Sequence, residues 1–185
     1  TASCQAATVE LDATGNVTIT TTDIDAGSCD STYIVGDVNK TCADAGSTVV
    51  LQLVAVDSAN TTSDTCSANV TIEDNLAPVA VCQNVTIQLD AGGNASITTS
   101  DVENGSTDNC SIASYSVAPS SFDCSHMVGT NAVLTTTDDA GNSSTCNATV
   151  TVEDNIAPTA ICQDFTAALD ANGDVTISTG DVDNG

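Results

Sequence analysis

The chain has 185 residues, with 25 Asp and Glu against a single Lys or Arg, which gives a formal charge of −24. This balance excludes nucleic acid and anionic membrane surfaces as partners, because both bind through clusters of basic residues. Hydrophobic residues make up 41% and charged residues 14%, unlike a disordered acidic tail. We therefore expect a folded protein that attracts cations.

Nine cysteines stand beside one histidine, and no CxxC pair is present. Zinc and iron–sulfur sites cluster their ligands at short spacings, so disulfides explain these cysteines better. Disulfides persist in oxidising compartments, which predicts a secreted or cell-surface protein. No stretch approaches the roughly 20 apolar residues of a membrane span, so no membrane insertion is expected.

An internal repeat organises the chain. The segment EDNLAPVAVCQNVTIQLDAGGN around Cys82 returns as EDNIAPTAICQDFTAALDANGD around Cys162, and the opening TASCQAATVELDATGN is the same segment again. The period is about 80 residues. We predict complete repeats over 1–77 and 78–157, followed over 158–185 by the first strands of an incomplete third. We therefore interpret the chain as part of a longer tandem array and expect Cys162 to pair with a cysteine outside this chain.

Alternating hydrophobicity predicts β-strands. In Val85–Leu89 and Ala148–Val152 every second residue is apolar and the others are polar, which is the pattern of half-buried strands. Turn sequences such as Asp90–Asn94 and Asp139–Asn142 separate these short runs, and helical periodicity is lacking. The predicted class is all-β, with each repeat an immunoglobulin-like antiparallel β-sandwich of about seven strands.

The strand order also bears on the disulfides. If the first and last strands of each repeat lie parallel and adjacent, as in immunoglobulin-like domains, the cysteines at their starts become neighbours. This predicts Cys4–Cys66 and Cys82–Cys146. The remaining cysteines are assigned as Cys29–Cys42 and Cys110–Cys124, although four cysteines allow three connectivities and the sequence does not choose among them.

The second repeat resembles hyalin-type (HYR) repeats. The resemblance is carried by AP-x-A-x-C, Asp108-Asn109-Cys110, Phe122-Asp123-Cys124 and Asp139-Ala140-Gly141-Asn142 followed by Cys146. The first repeat departs from it with Ser28-Cys29-Asp30 and Asp57-Ser58-Ala59-Asn60. The nearest likeness is to the Cys-rich versions found in tandem in large secreted or surface proteins of Bacteroidota. The resemblance implies an immunoglobulin-like fold and a role in adhesion or extracellular structure, without a particular ligand.

The linkers between repeats are similar to the Asp-Asn-Ala-Pro linkers of cadherins, where calcium stiffens the junction. In a sandwich, the loop after the second strand and the last turn return to the linker end, so several oxygen ligands meet there, as calcium requires. Turn formation by Asp and Asn is the alternative reading, and it is favoured for Asp12, Asp90 and Asp170. The predicted ligands are Glu73, Asp74, Asn75, Asp101, Glu103, Asp108, Asp138 and Asp139 at the first junction, and Glu153, Asp154, Asn155, Asp181 and Asp183 at the second.

Asn-x-Ser/Thr sequons indicate either glycosylation of a secreted surface or simply strands whose outward positions are polar. Both readings stay open. Asp30-Ser31-Thr32 and Asp57-Ser58-Ala59 also resemble a bacterial O-glycosylation signal, which adds Ser31 and Ser58 as candidates. The sequons lie at Asn16, Asn39, Asn60, Asn69, Asn84, Asn94, Asn104, Asn109, Asn142 and Asn147.

Catalysis is not expected. The one histidine, His126, has no sequence partner for a nucleophilic site, and GxSxG, P-loop and HExxH motifs are lacking. We predict a structural segment of an extracellular filament, stalk or adhesin shaft, rigidified by disulfides and calcium. Its partners are neighbouring repeats, with lateral self-association or surface glycans as further options. The alternative is a glycan- or protein-binding adhesive module.

Overall fold

The computed structural model describes residues 1–61 and 63–184. The first set of strands forms a four-stranded sheet in the order β1-β6-β5-β3, beside a two-stranded sheet of β2 and β4. These strands are β1 (Ala7–Glu10), β2 (Asn16–Thr18), β3 (Ser31–Val35), β4 (Asn39–Thr41), β5 (Thr48–Val56) and β6 (Ser63–Glu73), with helix α1 (Thr21–Ile24) between β2 and β3. We call this set the first sandwich.

The second set repeats the arrangement. Its four-stranded sheet has the order β7-β12-β11-β9, and β8 pairs with β10 in a two-stranded sheet. The strands are β7 (Val85–Gln88), β8 (Asn94–Ser96), β9 (Ile112–Ala118), β10 (Ser121–Asp123), β11 (Thr130–Asp138) and β12 (Ser143–Glu153), with helix α2 (Thr99–Val102) between β8 and β9. We call this set the second sandwich. The exact repeat boundaries at 77 and 157 stay predictions.

The first strand of each sandwich pairs in parallel with the last. Ala7 is opposite Val70 in the β1–β6 pair, and Val85 is opposite Val150 in the β7–β12 pair. All other strand pairs are antiparallel. This is the immunoglobulin-like arrangement expected from the sequence, and the all-β fold class is confirmed. The parallel pairing also places Cys4 beside Cys66 and Cys82 beside Cys146, and both predicted bonds form.

In the described residues each sandwich has six strands rather than about seven, and a one-turn helix lies between the second and third strands. The helix begins with a capping box, in which the side chain three residues after a Thr accepts a hydrogen bond from that Thr's backbone N–H. Asp101 Oδ2 accepts from Thr98 N at 2.6 Å and from Thr98 Oγ1 at 2.7 Å, which starts α2. Thr20 and Asp23 start α1 in the same way. Such short helices leave no trace in hydrophobic periodicity.

Along the strands, apolar residues face the core and the polar residues between them face the solvent, as predicted. Val150 and Val152 are buried while Thr149 and Thr151 are exposed. The second core contains a single aromatic residue, Phe122, and is otherwise aliphatic: Leu89, Ile97, Val102, Ala132, Leu134, Ala148, Val150 and Val152. The first core is entirely aliphatic: Val9, Leu11, Ile19, Ile24, Leu51, Leu53, Ala68, Val70 and Ile72.

The predicted pairs Cys29–Cys42 and Cys110–Cys124 are wrong. Cys42 bonds Cys110 instead, with a Cα–Cα distance of 5.4 Å, so this disulfide joins the first sandwich to the second. Cys42 follows β4 at the end that faces the second sandwich, and Cys110 precedes β9 at the opposing end. Cys29, Cys124 and Cys162 are exposed and unbonded within the described residues.

The predicted first strands of a third repeat do not form in the described residues from 158 to 184. This segment contains an isolated bridge between Cys162 and Asp183 and the one-turn helix α3 (Thr179–Val182). In each of the two sandwiches the first strand pairs with the last strand of the same unit. No helix in the described part of the chain is long and apolar enough to cross a membrane.

A large-to-small substitution tests the second core. Leu134 is fully buried between Ala148, Val150 and the other core residues. Leu134→Ala removes that packing and leaves a cavity, so we expect the free energy of unfolding to fall by about 2–5 kcal/mol. Urea denaturation measures it. The control is Val128→Ala, since Val128 is 97% exposed and should change stability little; equal losses from the two variants would contradict this core assignment.

The capping carboxylate predicts a pH dependence. Hydrogen bonds from the Thr98 backbone and then its hydroxyl hold the pKa of Asp101 below its ordinary 3.8. A pKa lowered by folding contributes stability above the unfolded pKa, and this is lost as the pH falls through the folded pKa. We therefore expect Asp101→Asn to flatten the loss of stability as the pH falls below about 4. Urea titrations at each pH measure this, and Asp164→Asn, at an exposed position, is the control. Unchanged pH profiles would contradict the prediction.

Candidate metal centre

Three carboxylates meet where the two sandwiches join. Asp74 follows the last residue of β6, Asp138 is the last residue of β11, and Asp108 lies in the loop before β9. One carboxylate oxygen from each lies within 4.8 Å of the others. The cluster therefore combines the linker after the first sandwich with two segments of the second.

Two carboxylates of the cluster are buried and the third, Asp108, is half-buried, and their hydrogen-bond donors in the described residues carry no positive charge. Asp74 is 6% exposed and Asp138 is 2% exposed. The only Lys or Arg in the chain, Lys40, has its Nζ 3.3 Å from Asp37 Oδ2. The amino-terminal nitrogen lies 3.8 Å from Asp30 Oδ2, so within the described residues both Lys40 and the amino terminus have other partners. Burying charged carboxylates is unfavourable unless a counter-charge is nearby.

Two asparagines hold the carboxylates in place. Asn109 Nδ2 donates to Asp74 Oδ1 at 3.1 Å. The backbone N–H of Asn142 donates to Asp138 Oδ1 at 2.8 Å, and Asn142 Nδ2 donates to Asp138 Oδ2 at 2.9 Å and to the backbone oxygen of Asp74 at 2.9 Å. Asn142 therefore ties the linker to the end of β11.

Two oxygens of the same region have no hydrogen-bond partner. Asp108 Oδ2 accepts from Cys110 N at 2.9 Å, but Asp108 Oδ1 is buried and unsatisfied. The side-chain oxygen of Asn109 is buried and unsatisfied as well. Unsatisfied buried polar atoms are rare in folded proteins, and a bound ion is one of the explanations for them. An oxygen acceptor without a donor, beside other acceptors, has the arrangement of a cation ligand.

The available ligands suit a hard divalent cation. Calcium binds carboxylate, amide and backbone oxygens, usually six to eight of them at 2.3–2.6 Å. The cluster offers carboxylates, and the neighbouring cysteines Cys42 and Cys110 are bonded to each other and cannot act as thiolates. Zinc prefers thiolate and imidazole ligands. The residues present therefore fit calcium or magnesium better than zinc.

Three further predicted ligands line a cleft next to the cluster. The cleft has a volume of about 480 Å³ and is lined by Glu73, Asn75 and Asp139, together with the Cys42–Cys110 bond. Asn75 Nδ2 donates to Glu10 Oε1 at 3.1 Å and to Glu73 Oε2 at 3.3 Å, and Asp139 accepts a hydrogen bond from Ser111. These side chains surround the junction but are not members of the cluster of three.

Asp101 and Glu103 were predicted as ligands and are not members of the cluster either. Asp101 caps α2, as described above. Glu103 Oε1 accepts from Gly105 N at 2.7 Å and from Ser106 N at 2.6 Å, and the bond from Ser106 is the main cause of its lowered pKa. Only the end of this loop, at Asp108, turns into the junction.

The second predicted junction does not assemble in the described residues. Glu153, Asp154 and Asn155 are exposed, and Asp154 Oδ1 accepts from Ile156 N at 3.0 Å. Asp181 caps α3 through Ser178, whose backbone N–H is the first cause of its lowered pKa. Asp183 is paired through the backbone with Cys162. Asp154 corresponds to Asp74 in the repeat.

Asp12, Asp90 and Asp170 form turns, as favoured from the sequence. In each turn one carboxylate oxygen accepts backbone N–H groups from the residues two and four positions later. For Asp90 Oδ1 these bonds come from Gly92 N at 2.8 Å and Asn94 N at 2.9 Å. Asp12 and Asp170 make the same pair of bonds. The carboxylates of these loops are thus used locally.

Two of the predicted glycosylation sites are engaged at the junction. The side-chain amide groups of Asn109 and Asn142 donate to the carboxylate cluster and its linker, so a glycan on either nitrogen would break those contacts. The sequence indicated both as sequons and as parts of the motifs that resemble HYR repeats, but not their place beside the cluster. The other candidates are exposed and stay predictions: Asn16, Asn39, Asn60, Asn69, Asn84, Asn94, Asn104, Asn147, Ser31 and Ser58.

Comparison with known proteins does not place the chain in a family. The chain matches no protein-family model and no curated protein sequence. Among solved structures it is similar to human mucin-like protocadherin EC1-2, with 12% identity over 83% of this chain and 98% of that one at a TM-score of 0.33. It is also similar to titin domains I67–I69, with 10% identity over 83% and 64% at a TM-score of 0.33. These scores are too low to support an argument, so the strand pairing alone establishes the fold, and the HYR resemblance stays a prediction.

Neutralising the unsatisfied carboxylate tests the site. Asp108→Asn keeps an oxygen for Cys110 N and turns an amide donor towards Asp74 and Asp138. In excess chelator we expect its thermal unfolding midpoint to exceed that of the unmodified chain, because repulsion among the buried carboxylates falls. Calcium at 100 times its Kd should stabilise the unmodified chain by about 2.7 kcal/mol and the variant much less.

The control is Asp154→Asn, the same change at an exposed linker position that corresponds to Asp74 in the repeat. It should leave both the midpoint in chelator and the response to calcium unchanged. A calcium response of the same size in Asp108→Asn as in the unmodified chain would contradict the proposed ligand set.

Proposed function

We propose that this chain is a structural segment of an extracellular stalk, filament or adhesin shaft, in which a divalent cation, calcium, fixes neighbouring immunoglobulin-like repeats relative to one another. The observation that supports it most directly is the unsatisfied Asp108 Oδ1 in a buried cluster with Asp74 and Asp138. The cluster lies at the junction, so a cation there acts on the geometry between the sandwiches and not on one sandwich alone.

The cation would stiffen the junction because its ligands come from two different parts of the chain. Asp74 belongs to the linker, whereas Asp108 and Asp138 are carried by the second sandwich. Without a cation the three carboxylates repel one another, which opposes the hydrogen bonds from Asn109 and Asn142 that hold the linker. With calcium bound, their oxygens share one ion, and the linker is fixed against the second sandwich.

The composition and the cysteines support an extracellular setting. Disulfides persist outside the reducing cytosol, and three of them form here. An extracellular setting also supplies calcium in quantity, and extracellular modules can use weak sites with Kd values of about 10⁻⁴–10⁻³ M. We propose no catalytic role, since the site is a junction between rigid units.

Small-angle X-ray scattering of the full chain tests the mechanical role. We expect calcium to narrow the distribution of overall dimensions relative to excess chelator, because it restricts the motion that the disulfide and the linker hydrogen bonds leave at the junction. Magnesium at equal concentration and sodium chloride at equal ionic strength separate specific binding from charge screening.

Asp108→Asn is measured in the same series and should show no calcium-dependent change in dimensions. Identical scattering of the unmodified chain in calcium and in chelator would contradict the proposal that calcium stiffens this junction. It would leave the disulfide between the sandwiches as the constraint that holds them.

A further inference from the structure

Cys124 stands in the second sandwich where Cys42 stands in the first. Cys42 begins a 3-10 turn directly after β4, and Cys124 begins one directly after β10. The preceding residue is in the same register in both cases, since Thr41 is opposite Asn16 and Asp123 is opposite Asn94. Cys42 is bonded across the junction, whereas Cys124 is exposed and unbonded in the described chain.

The surroundings of the two sulfur atoms also correspond. Cys42 Sγ lies 3.6 Å from the carbonyl oxygen of Gly15, and Cys124 Sγ lies 4.0 Å from that of Gly93. Both glycines have positive φ, 71° and 75°. A Cβ on Gly15 would lie 2.4 Å from Cys42 Sγ, and one on Gly93 would lie 3.2 Å from Cys124 Sγ. In the first sandwich the missing side chain of Gly15 leaves room for the disulfide of Cys42. In the second sandwich Gly93 leaves room beside Cys124 in the same way.

The other partner of the bond has an equivalent too. Cys110 lies in the loop before β9, at the end of the second sandwich that faces the first, and Cys29 lies in the corresponding loop before β3. Cys29 is close to the start of the chain, because its neighbour Ser28 accepts a hydrogen bond from Ser3 N at 3.1 Å and Asp30 lies 3.8 Å from the amino terminus. Each sandwich thus carries one linking cysteine at each end.

We infer that Cys124 forms a disulfide with the cysteine that occupies the place of Cys110 in a following repeat, and that Cys29 is bonded in the same way by a preceding one. Successive repeats are then joined twice, by the linker and by a disulfide across each junction. This goes beyond the proposed function because it does not depend on a metal ion.

The chemistry is the oxidation of two thiols. The S–S bond forms as two protons and two electrons leave the pair, and a small-molecule disulfide such as oxidised glutathione accepts them and is reduced to two thiols. Exposure of the Cys124 thiol allows exchange with such an oxidant.

An extended chain tests the inference. Appending a second copy of residues 106–157 after Gly185 completes a third repeat with the chain's own sequence and supplies a copy of Cys110. After oxidation with a glutathione redox buffer, we expect peptide mapping to find Cys124 bonded to the copied Cys110. Alkylation of Cys124 should fall from near complete in the unextended chain to near zero. Cys110→Ser in the appended copy alone is the matched control and should restore alkylation.

Free Cys124 in an extended chain that has formed Cys4–Cys66, Cys82–Cys146 and Cys42–Cys110 would overturn the inference. If those three bonds fail to form, the extension has disturbed folding, and a second extension with residues 28–77 is read by the same criterion at the copied Cys29. Each mapping is made with and without chelator, so a missing bond at Cys124 does not bear on calcium, and a missing calcium response does not bear on the bond.

Discussion

A small core with few aromatic residues is the constraint on which the rest of the structure depends. Units of about 80 residues bury too little apolar surface to be comfortably stable without additional constraints. Here the cores are aliphatic apart from Phe122, and covalent bonds add what packing does not. A disulfide that closes a loop of 62–68 residues contributes roughly 4 kcal/mol in the chain-entropy model. The parallel pairing of the first and last strands brings together the two cysteines of Cys4–Cys66 and those of Cys82–Cys146.

The same constraint shapes the surface. Strands that alternate between aliphatic and polar residues leave Thr, Ser and Asn outside, and acidic residues collect in the turns and junctions. In the turns at Asp12, Asp90 and Asp170, the carboxylate accepts hydrogen bonds from backbone N–H groups of the same turn. These carboxylates therefore stabilise their own turns. The junction differs because its carboxylates come from three separate segments and more oxygens meet there than N–H groups. That excess of acceptors distinguishes a cation site from a turn.

The sequence predicted the fold because its signals are local or repeated. Alternation at Val85–Leu89 and Ala148–Val152 is a property of single strands, and the pairing of Cys82 with Cys146 followed from the parallel strand order. The capping boxes at Thr20 and Thr98 were missed because one turn of helix has no periodicity to detect. At the site, Asp74, Asp108 and Asp138 were among the predicted ligands, but Asp101 and Glu103 could not be separated from them, since distance to the linker depends on how the loop bends.

The cysteine pairing shows a limit of a different kind. In a tandem repeat, a bond within one unit and a bond between neighbouring units join residues of the same type at similar local positions. Cys42 therefore had a chemically equal partner in its own unit, Cys29, and others in the next unit, including Cys110, and only the stacking of the sandwiches selects Cys110. Gly15 was a usable signal in principle, but its turn already requires positive φ, so the space it leaves for the disulfide is visible only in three dimensions.

The Cys42–Cys110 bond has a consequence for damage to the molecule. It bypasses the linker, because Cys42 precedes and Cys110 follows the whole segment from Asp74 to Pro78. A protease that cuts one peptide bond in that segment leaves both pieces attached through the sulfur atoms. Pulling on the two ends likewise loads the disulfide as well as the linker. Parting the two sandwiches therefore requires both a reductant and a protease, and exposure to either agent alone leaves them connected.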